Sequence, residues 1–133
     1  MAAGDIVKEA LLAIEEFAVK ANEDIEKGEI VYNDGNGILA APSDRTGYMM
    51  ALKAHDYSAE TTHKVLCAVS GFVEAQKKSG TAIKKGEAVV MSGTAGEVRD
   101  ITHGTDTMAD VVGTCVADAA SADATVKILL GVR

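Results

Sequence analysis

The chain repeats itself, and this limits its possible folds more than any other feature. IEKGEIV from Ile25 returns as IKKGEAV from Ile83, and SAETTHKVLCAV from Ser58 returns as SADATVKILLGV from Ser121. In the second match Ser58/Ser121, Ala59/Ala122, Thr62/Thr125, Lys64/Lys127, Leu66/Leu129 and Val69/Val132 are identical, and Glu60/Asp123 keeps its charge. Two separate matches at an offset that drifts only from 58 to 63 residues imply a shared order of elements, as in a duplicated unit. A chain of 133 residues can bury roughly two-thirds of its unfolded surface as one domain but is too short for two. The expectation is therefore two half-domains around one core, repeat one over residues 15–70 and repeat two over residues 71–133.

Glycine punctuates short apolar runs in both copies. The EKGE and KKGE steps place Gly28 and Gly86 where tight turns need a positive φ. IVY and AVV follow as strands, and the turns NDGNG from Asn33 and SGTAG from Ser92 reverse the chain into ILAAP and EVRDI. Loops from Pro42 to Gly47 and from Thr102 to Asp106 precede YMMALKA and DVVGTCVA. In HKVLCAVSGFVEA and TVKILLGV the apolar residues run almost unbroken, the pattern of strands covered on both faces. About ten short strands and one proline predict a mainly β fold, a small antiparallel barrel or sandwich. Residues 1–14 read differently. Ile6, Val7, Ala10, Leu11, Ile14 and Phe17 recur at helical spacing behind a possible Asp5 cap, although Phe17, Val19 and Ala21 also alternate as in a strand. The spacing predicts a short amphipathic helix or arm ending near Ile14, ahead of a single β domain over 15–133. Such a helix must dock on its own barrel, on a neighbouring subunit or on a larger assembly.

With two Phe, three Tyr and no Trp, the core must be built from aliphatic side chains, and oligomerisation would help it. Twenty acidic residues outnumber thirteen basic ones, and the tight basic clusters are only the pairs Lys77/Lys78 and Lys84/Lys85, so direct nucleic-acid binding is not expected. No apolar run approaches the ~20 residues of a membrane span and no secretion signal opens the chain, so the expectation is a soluble protein made in the cytosol, without a membrane partner.

Chemistry-bearing residues are few. Cys67 and Cys115 do not form a disulfide framework. Similarity sets Cys67 against Leu130 and Cys115 near Lys53, and Cys67 reads as a small buried hydrophobe. His55, His63 and Cys67 share a parity, but four residues along a strand span ~13 Å, too far for one ion, and His63 aligns with Val126. His103 and Asp106 lie in a Gly/Thr-rich turn with no nucleophile elbow. GTAIKKGE lacks the Gly-Lys-Ser/Thr ending of a phosphate loop. No catalytic residue, cofactor or metal is expected.

GTAIKKGEAVVMSGTAGEVRDI followed by DVVGTCVADAASADATVKILLG resembles the small head decoration, or capsid cement, proteins of tailed phages and related archaeal viruses. The resemblance covers Gly71 to Arg133 well and the first copy more weakly. The extra N-terminal segment and the longer stretch from Tyr48 to His63 depart from the shorter members. The resemblance implies a non-enzymatic β-rich domain in the virion, on the outside of an HK97-like capsid. It would bind the major capsid protein, commonly as trimers, and strengthen the expanded head after synthesis in the host cytoplasm. On that reading Ile6, Val7, Leu11 and Ile14 are the expected capsid or subunit contacts. The rival readings are a small-ligand or carbohydrate-binding barrel, which the scarcity of aromatic residues disfavours, and an oligomeric enzyme with an inter-subunit site at His103 and Asp106.

Overall fold

The computed structural model describes residues 2–42 and 47–131 and, within them, the side chains of all but residues 7–10. Among the described residues nine strands follow one another: β1 Ile6–Ala18, β2 Ile30–Asn33, β3 Ile38–Ala40, β4 Met49–Ala51, β5 Lys64–Gln76, β6 Ala88–Met91, β7 Val98–Asp100, β8 Val111–Cys115 and β9 Thr125–Leu130. One 3-10 turn over Met108–Asp110 precedes β8. The strands form a single antiparallel sheet in the order β3-β2-β4-β5-β9-β8-β6-β7, with β1 also paired to β5. The mainly β class expected from the glycine-punctuated runs is what the chain adopts. The interior of the expected Pro42–Gly47 loop, and Val132, lie outside the described residues.

The sheet curls into a half-barrel because each of its ends is turned back. Val19, just past β1, forms a parallel bridge to Ile38 of β3, and Lys77, just past β5, forms one to Val98 of β7. The following amides complete the contact: Lys20 N–H donates to the Ile38 carbonyl at 3.0 Å and Lys78 N–H to that of Val98 at 2.9 Å. Curling in this way leaves the outermost strands less open to outside partners.

Residues 6–18 are a strand, not the helix that the spacing predicts, and β1 crosses the boundary expected near residue 14. The physical reason is visible in its register against β5. Lys8 opposes Phe72 and Ala13 opposes Ser70, so β1 takes five steps where β5 takes two. The surplus residues form a bulge that breaks the alternation of a regular strand. A period near three or four then appears in a segment that is extended.

β6 lies between β7 and β8 as β2 lies between β3 and β4. Gly28 N–H donates to the Ala51 carbonyl at 2.8 Å, and Gly86 N–H to the Cys115 carbonyl at 2.8 Å. Ile25 exchanges two backbone bonds with His55, and Ile83 does the same with Ala119. By these bonds Ala51 stands where Cys115 does. Because Ala51 pairs with Cys67 and Cys115 with Ile128, Cys67 corresponds to Ile128 and not to Leu130, and Cys115 to Ala51 and not Lys53. The slip is two residues, which leaves each side chain on its face and so is silent in the hydrophobic pattern.

The core has two parts. One cluster joins Ile30, Tyr32 and Met50 from the first half of the chain to Val89, Ile128 and Leu130 from the second. Another, with Val19, Ile25, Val31, Ile38 and Cys67, belongs to the first half alone. Consecutive Ile30 and Val31 are both fully buried, one in each cluster, because β2 is covered on both faces. Lys77 follows β5 as Val19 follows β1, yet it is also buried, at 2% exposure. Its ammonium donates to the carbonyls of Lys78, Thr81 and Ser121 at 2.7, 2.6 and 3.3 Å, which offsets the loss of water. The apparent Lys77/Lys78 pair is therefore not a surface basic patch.

Gly28 and Gly86 adopt φ of +89° and +93°. Their surroundings differ. A Cβ on Gly28 would lie 2.4 Å from the Ala3 Cβ and 2.7 Å from the Gly4 nitrogen, whereas one on Gly86 meets nothing within 4 Å. Gly86→Ala should cost about 1 kcal/mol from backbone strain alone, and Gly28→Ala about 2–4 kcal/mol once the clash with residues 3–4 is added. Urea denaturation of the two variants checks this order, and equal costs would contradict the close packing of the N-terminal residues on Gly28.

Candidate interaction surface

The expected contact residues fall on β1 and its bulge. Among the described residues β5 is the strand paired with β1, so the other backbone edge of β1 faces outward. Ile6 is 39% exposed, Ile14 41% and Leu11 63%; the side chain of Val7 lies outside the described residues. Leu66 of β5, at 38%, adds to this surface, because Ile14 lies one pleat from Glu16, the partner of Leu66. Leu12 instead turns inward, packs on the larger core cluster and lies over Gly71. The bulge thus divides two neighbouring leucines, one to the core and one to solvent.

Leu11 is also held at φ +62°, a conformation that costs a non-glycine residue about 1 kcal/mol or more. Its carbonyl accepts a 2.7 Å hydrogen bond from the Ser70 hydroxyl, which helps fix the bulge. An exposed leucine is thus held on strained backbone that Ser70 fixes from below.

His103 and Asp106 line one open depression beside Met108, and the Asp106 carboxylate is engaged by Arg99. Its two oxygens accept from Nη1 and Nη2 of Arg99, each at 2.8 Å, and one accepts from Thr102 N–H at 2.6 Å, which holds its carboxyl below the usual range. Burial pushes the Cys67 thiol up to about 12 and also raises Cys115, so neither is poised as a thiolate. His55 and His63 do meet: His55 Nε2 lies 2.9 Å from His63 Nδ1, while Glu60 sits 3.2 Å from the other nitrogen of His55. Sequence spacing missed this pair because it assumed a continuous strand, whereas residues 52–63 form a turn-rich loop between β4 and β5. Among the described residues no three His, Cys, Asp or Glu side chains converge on a point that could hold a metal ion.

An open depression of about 350 Å³ is lined by Glu74, Asp118, Asp123 and Lys127. Glu74 is 5% exposed; its Oε1 accepts from the Thr125 hydroxyl at 3.1 Å and its Oε2 has no partner among the described residues. Burial raises its pKa above 4.5, with the Thr125 bond and Lys127 opposing.

The chain matches the family model described as phage cement protein over residues 16–130 and belongs to that family. Among solved structures it is similar to the head fiber gp8.5 N base of bacteriophage phi29, with a TM-score of 0.56 and 19% identity over 89% of this chain and 94% of that one, a likeness of fold. No curated protein matches the chain. The family supports a structural role at the phage head, speaks for a non-enzyme and implies a virion-associated place. The match begins after Ile6, Leu11 and Ile14, so the bulge of β1 precedes the span that the family model describes.

Glu74 gives a pH prediction of definite sign. The folded chain keeps this proton to a higher pH than the unfolded one, so the group favours folding below about 4.5 and that contribution is lost as pH rises through the raised value. Relative to Glu74→Gln, the wild type should gain stability as pH falls from 7 toward 4.5. Urea titrations at stepped pH read the difference, and a difference that is flat or of opposite slope contradicts the burial argument.

Proposed function

We propose that this protein decorates the outer surface of an HK97-like capsid, binding the major capsid protein as a homo-oligomer, most simply a trimer at a three-fold position, and stabilises the expanded head. The observation that carries the reading is the family match across 16–130. The structure adds support, since aliphatic clusters fill the interior and the exposed apolar side chains lie on the exterior. In this reading residues 1–14, which run into β1 as part of the one sheet, supply the docking surface, and the protein reaches the capsid exterior after synthesis in the host cytoplasm. The excess of acidic residues discourages adhesion to packaged nucleic acid.

The mechanism is surface burial multiplied by valence. One protomer offers a modest patch around Ile6, Leu11, Ile14 and Leu66, and an oligomer that spans several capsid subunits turns weak contacts into lasting attachment. The matched backbone bonds of the two halves also support descent of both from one duplicated unit. Duplication supplies two similar lobes, and only the first carries the bulged edge strand.

Leu11→Gly separates binding from folding. Glycine relieves the positive φ and removes the side chain, so stability should stay level or rise by up to about 1 kcal/mol. Losing one buried leucine at a contact, about 1.5–3 kcal/mol, should weaken binding to purified heads roughly 10-fold or more. Thermal denaturation and quantitative co-sedimentation read the two effects. Undiminished occupancy by Leu11→Gly and by Ile14→Glu would overturn the proposed contact surface.

A further inference from the structure

Each half of the chain carries a depression at the same place in its sheet. In the first half Glu16 of β1 stands opposite Leu66 of β5, and both line a cavity of about 250 Å³ with Lys53, Glu60 and Lys64. In the second half Glu74 of β5 stands opposite Lys127 of β9, and both line the depression of about 350 Å³ with Asp118 and Asp123. The turn carboxylates correspond as well: Glu60 accepts from Asp56 N–H at 3.0 Å and Asp123 from Ala120 N–H at 2.8 Å. The charges do not correspond. Two carboxylates are matched by two lysines in the first depression, whereas three carboxylates meet one lysine in the second.

Burial differs too. Glu16 is exposed, whereas Glu74 is buried and its backbone is fixed by the N-terminal residues: Gly4 N–H donates to its carbonyl at 2.6 Å, and its own N–H to the Asp5 carbonyl at 3.0 Å. The Thr125 hydroxyl satisfies Oε1 and leaves Oε2 without a partner among the described residues. Lys127 eases the charge of Glu74 without bonding to it. An ionised oxygen withdrawn from water with no hydrogen bond is costly, and a bound cation would offset that cost. The last torsion of glutamate is broad, so a small rotation offers either oxygen to the depression. Above Glu74 the exposed Asp118 and Asp123 each commit one oxygen to a turn amide, of Lys85 at 2.7 Å and of Ala120, and each leaves the other without a hydrogen bond among the described residues. These carboxylates do not converge closely enough to hold a metal ion. A guanidinium suits them better, because it is flat, weakly hydrated and presents five N–H donors to separated acceptors. We infer that the second-half depression is a subsite for an arginine side chain of a different protein, with buried Glu74 beneath exposed Asp118 and Asp123. A second copy of this chain is a poor source, since it is equally acidic and one of its three arginines, Arg99, already holds Asp106. That the arginine belongs to a head protein rests on the proposed function; the subsite itself does not.

Methylguanidinium stands in for the side chain in an NMR titration of the full chain near neutral pH and at constant ionic strength. The amides of Asp118, Thr125 and Lys127 should shift saturably with a Kd on the order of 10 mM, and methylammonium should bind at least about 5-fold more weakly. Those of Lys53, Glu60 and Lys64, around the matched depression, should stay in place. Glu74→Gln keeps the size of the side chain and an acceptor for Thr125, so the sheet should stay folded while affinity falls at least about 5-fold. Lys127→Met removes the resident cation and should tighten binding roughly 2-fold or more. No head is present in these titrations, so they can fail while head attachment stands, and the reverse. Absence of saturable shifts, equal binding of the two cations or unchanged affinity in Glu74→Gln would overturn the subsite. Shifts of the same amides on concentrating the protein alone would place a second copy's arginine there and overturn the assignment to a different protein.

Discussion

The whole sheet depends on β5. Its residues Cys67 and Ala68 pair with β1 on one side and β4 on the other, and Phe72 and Val73 pair with β1 on one side and β9 on the other. The strand thus belongs to both halves of the chain. Val65 and Cys67 join the cluster confined to the first half, whereas Val73 and Ala75 join the cluster shared with the second. Ala68 already faces the shared cluster, and the face presented by the odd-numbered residues switches between Val69 and Val73, about Gly71, whose φ of +126° no other residue adopts readily and where a Cβ would lie 3.1 Å from the Leu12 Cα. A single strand that is buried along both edges and supplies two cores makes the halves mechanically inseparable.

That arrangement also explains where the molecule can act. Interior positions are committed to packing, down to Lys77, whose charge is held by three carbonyls instead of water. The ends of the sheet are turned back by the bridges at Val19 and Lys77. Of the exposed large apolar residues described, Ile6, Leu11 and Ile14 lie on β1, which is paired with β5 and bulged so that Leu11 stands out and Leu12 points in, Leu66 lies beside them and Met108 stands apart ahead of β8.

Much of this was legible in the residues. Glycine-bounded apolar runs located β2, β3, β6 and β7, because a turn signal between two alternating runs specifies a hairpin locally. The positive φ of Gly28 could be read from EKGE, but not the contact with Ala3 that makes that glycine tighter than Gly86. β1 was misread as helical because its bulge inserts residues into the period-two pattern, and that insertion is defined only by its partner strand. The His55–His63 contact was missed for a related reason: distance along an extended strand says nothing about a loop that folds back. The family resemblance was carried by the second half, which lacks both irregularities.

Residue-resolved hydrogen exchange through a urea series tests the shared role of β5 most directly. If β5 unites the two halves, the slowest amides of β2 and β4, of β6 and β8, and of β5 itself should converge on one opening free energy and one urea dependence. Opening of β6–β9 at distinctly lower free energy and with a smaller urea dependence, while β1–β5 stays closed, would show two independent units and contradict the account.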